Sequence, residues 1–310
     1  MRSLPFAYTC YLLANFVVQA FALCGAHTYL DQRHTTTSNN PGSVPIAEFG
    51  YLGVKGPLMW HRLDAANTLC AHGRRQSPIN LVPDTYRLIP ASGLTVSLPD
   101  DVSDGATFEN LGSTVVVAME GLGGSLVLGD MEFELRQFHF HTPSEHLVNG
   151  INLPMEMHMV FENRDARKLA VIGMFIDVTE PKLLTTKDTQ RHNRVSDILE
   201  TIFHSIDDIA IPGSMTTSQP FSMTELHSIL NTTEFMQYSG SLTTPPCAEG
   251  LFWALSVEKL FLTRGTFEKV RRVLGFNSRV TQNAPGMPNL LEMAGVMPVF
   301  PAWYEAQTPI

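Results

Sequence analysis

Two histidines alternate with two phenylalanines in the stretch Gln137-Phe138-His139-Phe140-His141, and this pattern constrains the fold more than any other feature of the chain. In a β-strand, side chains two residues apart point to the same face of the sheet. The glutamine and the two histidines therefore share one face, and the two phenylalanines share the other. The pattern predicts a strand with apolar packing behind it and a polar cavity in front.

A second strand-like stretch, Met155-Glu156-Met157-His158-Met159, supplies a third imidazole on the same face as a glutamate. Seventeen residues separate His141 from His158, which is enough for a neighbouring strand to return. An H-x-H pair alone is more typical of structural histidines, but three neutral imidazoles with one open position are typical of a catalytic zinc site. Gln137 and Glu156 are predicted to accept hydrogen bonds from these rings, with a solvated strand face as the alternative for Glu156.

The residues just after the histidine pair leave several interpretations open. Glu145 is a fourth metal ligand, a general base or a surface carboxylate. His146 has a strand parity different from that of the pair, which favours a core or hydrogen-bonded histidine over a ligand. A cupin-type site that binds iron or manganese through His139, His141 and Glu145 fits the spacing literally, but the glycine spacing beyond Glu145 does not fit a cupin.

The rest of the chain predicts one mainly β domain over residues 48–306. Helical spacing predicts a helix over Arg194–Phe203, and a second one that opens at Ser256–Phe261 and continues near Phe267–Leu274. Short segments rich in β-branched residues and bounded by glycine or proline are predicted strands. They are Leu94–Leu98, Thr114–Met119, Ser125–Leu128, Met155–Phe161 and Leu169–Val178.

Composition excludes two classes of protein. Hydrophobic residues make up 44% of the 310 residues, which is enough for a sizeable core and excludes a disordered chain. Lysine plus arginine total 21 against 30 aspartates and glutamates, for a formal net charge of -9. Because no basic surplus exists to neutralise phosphates, nucleic acid is excluded as the main partner.

The first residues are typical of a secretory signal peptide. Arg2 precedes a short apolar stretch and then small residues, so residues 1–26 are predicted to be removed by cleavage after Ala22 or Ala26. The alternative is a membrane anchor, although the stretch is short for a span and no stable membrane span is expected. Residues 27–47 are predicted to form a flexible arm because they contain little to bury. We therefore expect a secreted, extracellular protein.

Cysteine usage agrees with export. Cleavage after Ala26 leaves only Cys70 and Cys247, which we predict to pair because disulfides persist in oxidising compartments. The sequence Asn231-Thr232-Thr233 is a glycosylation sequon, a weak signal for modification of Asn231.

Several ordered motifs resemble those of the α-class carbonic anhydrases. They are Gly50-Tyr51 with Gly56-Pro57 and Trp60, Gln76-Ser77-Pro78-Ile79-Asn80-Leu81, the two histidine stretches with Ser144-Glu145-His146, and Gly240-Ser241-Leu242-Thr243-Thr244-Pro245-Pro246. The resemblance extends over most of the chain after the predicted signal. It implies a central twisted, mostly antiparallel sheet with short peripheral helices, and the reversible hydration of carbon dioxide to bicarbonate and a proton by zinc-bound hydroxide.

The resemblance also implies roles for single residues. His139, His141 and His158 would bind Zn²⁺, and Thr243 would link the hydroxide to Glu145, while its amide holds substrate. Tyr51 and Tyr238 would join a hydrogen-bond network, and Cys70 and Cys247 stand where many extracellular members form their disulfide. The residues that would contact carbon dioxide are Val160, Val171, Leu242, Thr243, Thr244, Leu251 and Trp253.

One departure from the family pattern concerns proton transfer. The frequent shuttle histidine is replaced in Asn110-Leu111-Gly112-Ser113, and serine cannot exchange a proton near neutral pH as imidazole does. We therefore expect slow proton export. Phe49 and Val280 are smaller departures that concern packing.

The alternatives to the enzyme are the cupin and a non-catalytic binding module of the same fold. Esterase activity is an expected side reaction, and a monomer and a homodimer both fit.

Overall fold

The computed structural model describes residues 27–28, 43–179 and 195–295. The predicted signal peptide and its cleavage sites lie outside these residues, as does most of the predicted arm. Within the arm, His27 and Thr28 are buried, and the backbone amides of Val44 and Ala47 donate to the carbonyls of Gly213 and Leu111.

Sixteen strands occur in the described part of the chain. They are β1 Asn80–Leu81, β2 Arg87–Ile89, β3 Thr95–Ser97, β4 Asp101–Val102, β5 Thr107–Asn110, β6 Val115–Ala118, β7 Ser125–Leu128, β8 Met131–His141, β9 Leu147–Val148, β10 Met155–Asn163, β11 Lys168–Thr179, β12 Met215–Thr217, β13 Phe221–Ser222, β14 Phe235–Ser241, β15 Glu249–Ser256 and β16 Leu260–Thr263. All five strand predictions are therefore confirmed, with ends shifted by at most a few residues.

Six short α-helices accompany the strands in the same residues. They are α1 Trp60–Leu63, α2 Leu69–His72, α3 Asp197–Phe203, α4 Thr224–Leu230, α5 Arg264–Leu274 and α6 Leu290–Met293. Single 3-10 turns cover Gly53–Lys55, Ala65–Thr68, Ala91–Gly93 and Ile206–Ile209. No helix in these residues is both long and apolar enough to cross a lipid bilayer.

A twisted sheet of 12 strands dominates the fold, in the order β12-β5-β6-β8-β10-β11-β15-β14-β2 with three strands off this path. Most neighbours are antiparallel, but β11 pairs in parallel with β15 and with β16. The expected mainly β architecture is confirmed. Its centre is the antiparallel pair of β8 and β10, where His139 lies opposite His158.

The two faces of this sheet carry different side chains because of strand alternation. Phe138, Phe140, Met157 and Met159 belong to the large core cluster, which helices α3, α4 and α5 complete from outside. The histidines alternate with these residues and lie on the opposite face, beside a second apolar cluster that includes Trp253. The alternation seen in the sequence therefore separates the core from the site.

The helix predicted to open at Ser256–Phe261 is wrong. Ser256 ends β15, and Leu260–Thr263 forms β16, whose parallel register with β11 pairs Leu260 with Ile176. Pairing with a distant buried strand outweighs the weak local helix signal of this segment. The helix begins only at Arg264, where the Thr263 side chain accepts a hydrogen bond from the Thr266 amide and caps the first turn.

Candidate metal centre

Three buried histidines meet in front of the sheet. The ring centroids of His139 lie 5.1 Å from those of His141 and of His158, and the last two rings are 4.6 Å apart. One nitrogen from each ring lies within 4.8 Å of the others. Strand pairing explains this meeting, because His141 and His139 share a face of β8 and His158 is the direct partner of His139 on β10.

Each imidazole is oriented by an acceptor on one of its nitrogens. His139 Nδ1 lies 2.9 Å from Gln137 Oε1, His141 Nδ1 lies 2.8 Å from the Asn277 carbonyl, and His158 Nε2 lies 2.7 Å from Glu156 Oε1. An acceptor fixes the proton on the nitrogen it contacts, so the other nitrogen carries the lone pair. The lone pairs then belong to Nε2 of His139 and His141 and to Nδ1 of His158.

This donor set fits a zinc ion. Zinc is bound in catalytic sites by three protein ligands and leaves a fourth position for water or substrate. Three neutral imidazole nitrogens on rigid neighbouring strands supply the required number and type of ligand. His146, Glu156 and His158 also lie within 4.8 Å, but there the carboxylate is already engaged by both rings at hydrogen-bond distance. The first group is therefore the candidate metal centre.

Glu156 is a buried acceptor for two histidines. Its Oε1 lies 2.6 Å from His146 Nδ1 and 2.7 Å from His158 Nε2, and its Oε2 accepts the His146 backbone N–H at 2.8 Å. Burial raises the pKa of this carboxyl, but the electrostatic interactions and hydrogen bonds that it makes with the His146 and His158 rings outweigh burial and hold the pKa well below its usual range. Glu156 is thus an ionised anchor rather than a solvated strand residue.

His146 extends this network away from the metal centre, as its strand parity indicated. Its Nε2 lies 2.7 Å from the Tyr238 hydroxyl, which in turn lies 2.7 Å from the Ser77 hydroxyl. Burial raises the pKa of Tyr238 well above its ordinary value, and the nearby Glu156 and Glu145 raise it further despite the Ser77 hydrogen bond. Tyr238 therefore stays protonated and can donate.

Glu145 lies beside the metal centre but on the wrong side to join the ligands. Its Oε1 accepts the backbone N–H of Arg279 at 2.9 Å and lies 3.5 Å from His141 Nδ1. That nitrogen is on the ring edge opposite to the one that offers a lone pair. The geometry therefore disfavours the cupin interpretation, in which Glu145 would be a ligand.

The segment that carries Thr243 and Thr244 is buried and held at both ends. Leu242 N–H donates to the Ala248 carbonyl at 2.9 Å, and Cys247 N–H donates to the Thr244 carbonyl at 2.9 Å. Cys247 forms a disulfide with Cys70, which confirms the predicted pairing. The cross-link fastens this segment to helix α2.

The apolar residues expected around the substrate do form one group. Val160, Val171, Leu242, Leu251 and Trp253 are all buried and belong to the same cluster beside the histidines. The Trp253 ring lies 4.8 Å from that of His158, and its N–H donates to the Ser241 carbonyl. An apolar wall thus adjoins the metal centre.

Tyr51 and Tyr238, expected in one hydrogen-bond network, lie in different side-chain clusters. Tyr51 packs edge-on against Phe49 and Trp60, with centroid distances of 6.2 and 5.7 Å. Tyr238 stacks on Trp253 and bonds to His146. The structure thus places Tyr238 in a network next to the histidines and Tyr51 in an aromatic group that also contains the disulfide.

Two further predicted positions have distinct surroundings. Ser113, at the shuttle position, is only 4% exposed, and no described residue forms a hydrogen bond with its Oγ. Asn231 is exposed at the end of α4, where its Nδ2 donates to the carbonyls of Val96 and His227.

Sequence reasoning missed Asn277 and Arg279. The Asn277 side chain accepts from the Thr142 amide and donates to the carbonyls of Ser113 and Phe140, while its own carbonyl holds His141. The Arg279 guanidinium donates to the Ser77 carbonyl and to Gln76. Most of these bonds involve backbone atoms far away in the chain, so no local pattern marks the two residues.

This mainly β fold thus carries a three-histidine cluster that could hold a metal ion, and an apolar wall lies beside it. The family model for eukaryotic-type carbonic anhydrase matches residues 55–289. Alpha carbonic anhydrase 3 of Arabidopsis thaliana is 28% identical over 237 residues, covering 76% of this chain and 75% of the relative. A carbonic anhydrase of Nostoc sp. is 30% identical over 245 residues, covering 78% and 85%.

Solved structures agree with these sequence relatives. The fungal α-carbonic anhydrase of Aspergillus oryzae has 40% sequence identity and a TM-score of 0.72, covering 80% of this chain and 98% of that one. The α-carbonic anhydrase of Thermovibrio ammonificans, solved with the inhibitor sulfanilamide, has 32% identity and a TM-score of 0.64, covering 78% and 98%. This chain belongs to the α-carbonic anhydrase family, and it is a carbonic anhydrase enzyme.

Proposed function

We propose that the enzyme hydrates carbon dioxide reversibly with a zinc ion held by His139, His141 and His158. The observation that carries the proposal is the convergence of three buried, oriented imidazoles whose ligand atoms lie within 4.8 Å of one another. When bound, zinc would supply hydroxide at neutral pH, because in carbonic anhydrases zinc lowers the pKa of a water ligand to about 7.

Glu145 and Thr243 orient the reacting groups. Ionised Glu145 can only accept hydrogen bonds, and it already accepts one from the Arg279 amide. The Thr243 hydroxyl has one proton, and if it donates that proton to the Glu145 carboxylate, only its lone pairs remain for other groups in the site. It therefore accepts a hydrogen bond from the attacking O–H group and turns that group's lone pair toward the substrate carbon. The Thr243 amide holds a substrate oxygen, and Thr244 lines the polar side.

The apolar wall receives the substrate. Carbon dioxide has no strong hydrogen-bonding group, so a surface without polar atoms binds it without leaving donors or acceptors unsatisfied. Val160, Val171 and Trp253 lie on three neighbouring strands, with Leu242 and Leu251 beside them. Bicarbonate is charged, so the apolar wall binds it weakly and favours its release.

The proton leaves slowly because Ser113 provides no titratable group. The short Ser113 side chain is also buried, so it does not reach solvent as a carrier of protons should. We expect turnover in a large, poorly permeant buffer to be raised several-fold by small imidazole buffers. Ser113→His, checked for correct folding by its urea midpoint, should raise turnover in weak buffer. An absence of both effects contradicts slow proton export.

Stopped-flow hydration kinetics test the zinc proposal. The purified protein is assayed as isolated, after exhaustive chelation, and after addition of one equivalent of zinc, with metal content measured each time. Activity should be lost and recovered with zinc, His139→Ala should bind less than one equivalent, and the exposed His72→Ala should match the parent enzyme. Activity that persists in the metal-free protein contradicts the proposal.

We further infer that residues 1–26 direct export and that the enzyme works outside the cell. The disulfide between Cys70 and Cys247 supports this, because such bonds persist in oxidising compartments. Expression of the full chain in a eukaryotic host, followed by amino-terminal sequencing and glycosidase treatment of the medium fraction, tests export, the cleavage site after Ala22 or Ala26, and glycan occupancy at Asn231. Retention of the uncleaved chain inside the cell contradicts the inference.

A further inference from the structure

An open groove of about 510 Å³ lies at the edge of the sheet, and none of the three metal-centre histidines lines it. It exists because β2 pairs with only three residues of β14, Phe235–Gln237. Past that point the edge of β14 borders the groove instead of another strand. The opposite wall is the loop that contains Gly286, whose amide donates to the Arg74 carbonyl at 2.6 Å.

Two arginines, Arg75 and Arg87, line this groove. No described residue forms an ion pair or a side-chain hydrogen bond with the guanidinium of Arg75 or of Arg87, although the Arg75 backbone amide is bound by Glu249. Asp84 is the one acid in the lining, and it forms no ion pair with either arginine within the described residues. In a chain of formal net charge -9, the groove is therefore a local site of positive charge with its donors turned to solvent.

Neutral hydrogen-bonding groups accompany the two cations. Tyr86, Gln237 and Ser239 line the same groove, and the described residues offer their side chains no hydrogen-bond partner. Tyr86 also brings an aromatic ring, which can cover an apolar ligand face. The lining thus combines two guanidiniums, which match carboxylate geometry in bidentate fashion, with groups that match hydroxyls.

At about 510 Å³, the open groove has room for an occupant larger than a small inorganic anion. Ligand sites of roughly 300–1,000 Å³ bind molecules with a substantial organic body. We propose that this groove binds an acidic saccharide, one or two sugar rings long, through carboxylates on Arg75 and Arg87 and hydroxyls on the neutral side chains. Such a site gives the enzyme a way to stay attached to a uronate-containing polysaccharide, independently of its catalysis.

Isothermal titration calorimetry with the disaccharide of α-1,4-linked galacturonic acid tests the site. Binding should weaken with added salt and fall about tenfold or more in Arg75→Met/Arg87→Met, since methionine keeps the apolar stem but removes charge-assisted hydrogen bonds. Arg272→Met, on the exposed side of α5, serves as the control and should bind like the parent protein. Both variants should keep the parent rate of carbon dioxide hydration.

Three results would overturn the proposal. They are equal binding of the uncharged disaccharide cellobiose, no loss of binding in the double variant, and inorganic sulfate binding as tightly as the disaccharide with the same dependence on both arginines. The first removes the role of charge, the second moves the site elsewhere, and the third leaves only a small-anion site. Because hydration is measured on the same variants, failure here is distinguishable from failure of the zinc proposal.

Discussion

Replacement of His146 by alanine should destabilise the protein more than any other single change near the metal centre that spares the ligands. The ring is fully buried and makes two short hydrogen bonds, at 2.6 Å to Glu156 and 2.7 Å to Tyr238. Loss of a hydrogen bond to a buried charge costs about 1.5–3 kcal/mol, and loss of a neutral one costs about 1 kcal/mol. The vacated ring adds roughly 1–2 kcal/mol for a cavity, for a total of about 3.5–6 kcal/mol.

Urea unfolding of the metal-free, disulfide-intact protein, followed by tryptophan fluorescence, measures this change. The exposed His72→Ala is the matched control and should shift the free energy of unfolding by less than about 0.5 kcal/mol. Tyr238→Phe removes the hydroxyl that His146 contacts, so the double variant should lose about 1 kcal/mol less than the sum of the two single variants. A loss below about 2 kcal/mol for His146→Ala, or strict additivity, refutes the network.

Three further predictions concern the same region. Glu156→Gln and Gln137→Leu should each weaken zinc binding about 10–100-fold, measured by competition with a chromophoric chelator. The first variant replaces the carboxylate shared by His146 and His158 with a neutral amide, and the second removes the acceptor of His139. Unchanged affinity in both variants contradicts the assigned acceptors. Cys70→Ser/Cys247→Ser should lower the free energy of unfolding by up to about 5 kcal/mol, since the disulfide closes a loop with a sequence separation of 177, and equal urea midpoints would contradict this. The fold raises the pKa of Tyr238 above its ordinary value of 10.0. The contribution of this residue to the free energy of unfolding should therefore be complete below pH 10.0 and be lost as the pH rises above that value. The urea midpoint of the parent protein should then fall faster than that of Tyr238→Phe between pH 9 and 11, and parallel curves would exclude the shift.

Local side-chain alternation was sufficient to predict the central strands and the meeting of three histidines. The predicted strand Ser125–Leu128 has the observed bounds, and His139 and His158 pair directly because both stretches alternate in phase. The helix predicted over Arg194–Phe203 is observed as Asp197–Phe203. Arg194, where the predicted helix begins, lies outside the described residues. The error at Ser256–Phe261 has a different origin, since β16 exists only through its pairing with β11. A partner that is remote in sequence leaves no periodic signal in the segment itself.

The acceptors that orient the three imidazoles also differ in whether they are local or remote in the sequence. Gln137 and Glu156 each stand two residues before the histidine they hold, so strand parity was enough to predict them. The acceptor for His141 is the carbonyl of Asn277, 136 residues away, and any residue type could have supplied a carbonyl there. Side-chain acceptors on the ligand's own strand can therefore be predicted from sequence, and backbone acceptors from other segments cannot.

This division has a consequence for how the metal centre forms. Pairing of β8 with β10 brings together three rings and two of their acceptors, but the orientation of His141 depends on the segment that contains Asn277 and Arg279. The same segment supplies the amide that fixes Glu145, and the Arg279 guanidinium fastens it to the carbonyls of Ser77 and, at 3.4 Å, Cys70. Cys70 is in turn covalently tied to the segment that carries Thr243. The orientation of His141, the position of Glu145 and the segment that carries Thr243 are therefore held by one group of long-range contacts around the disulfide, whereas the ligand set itself is built by two strands.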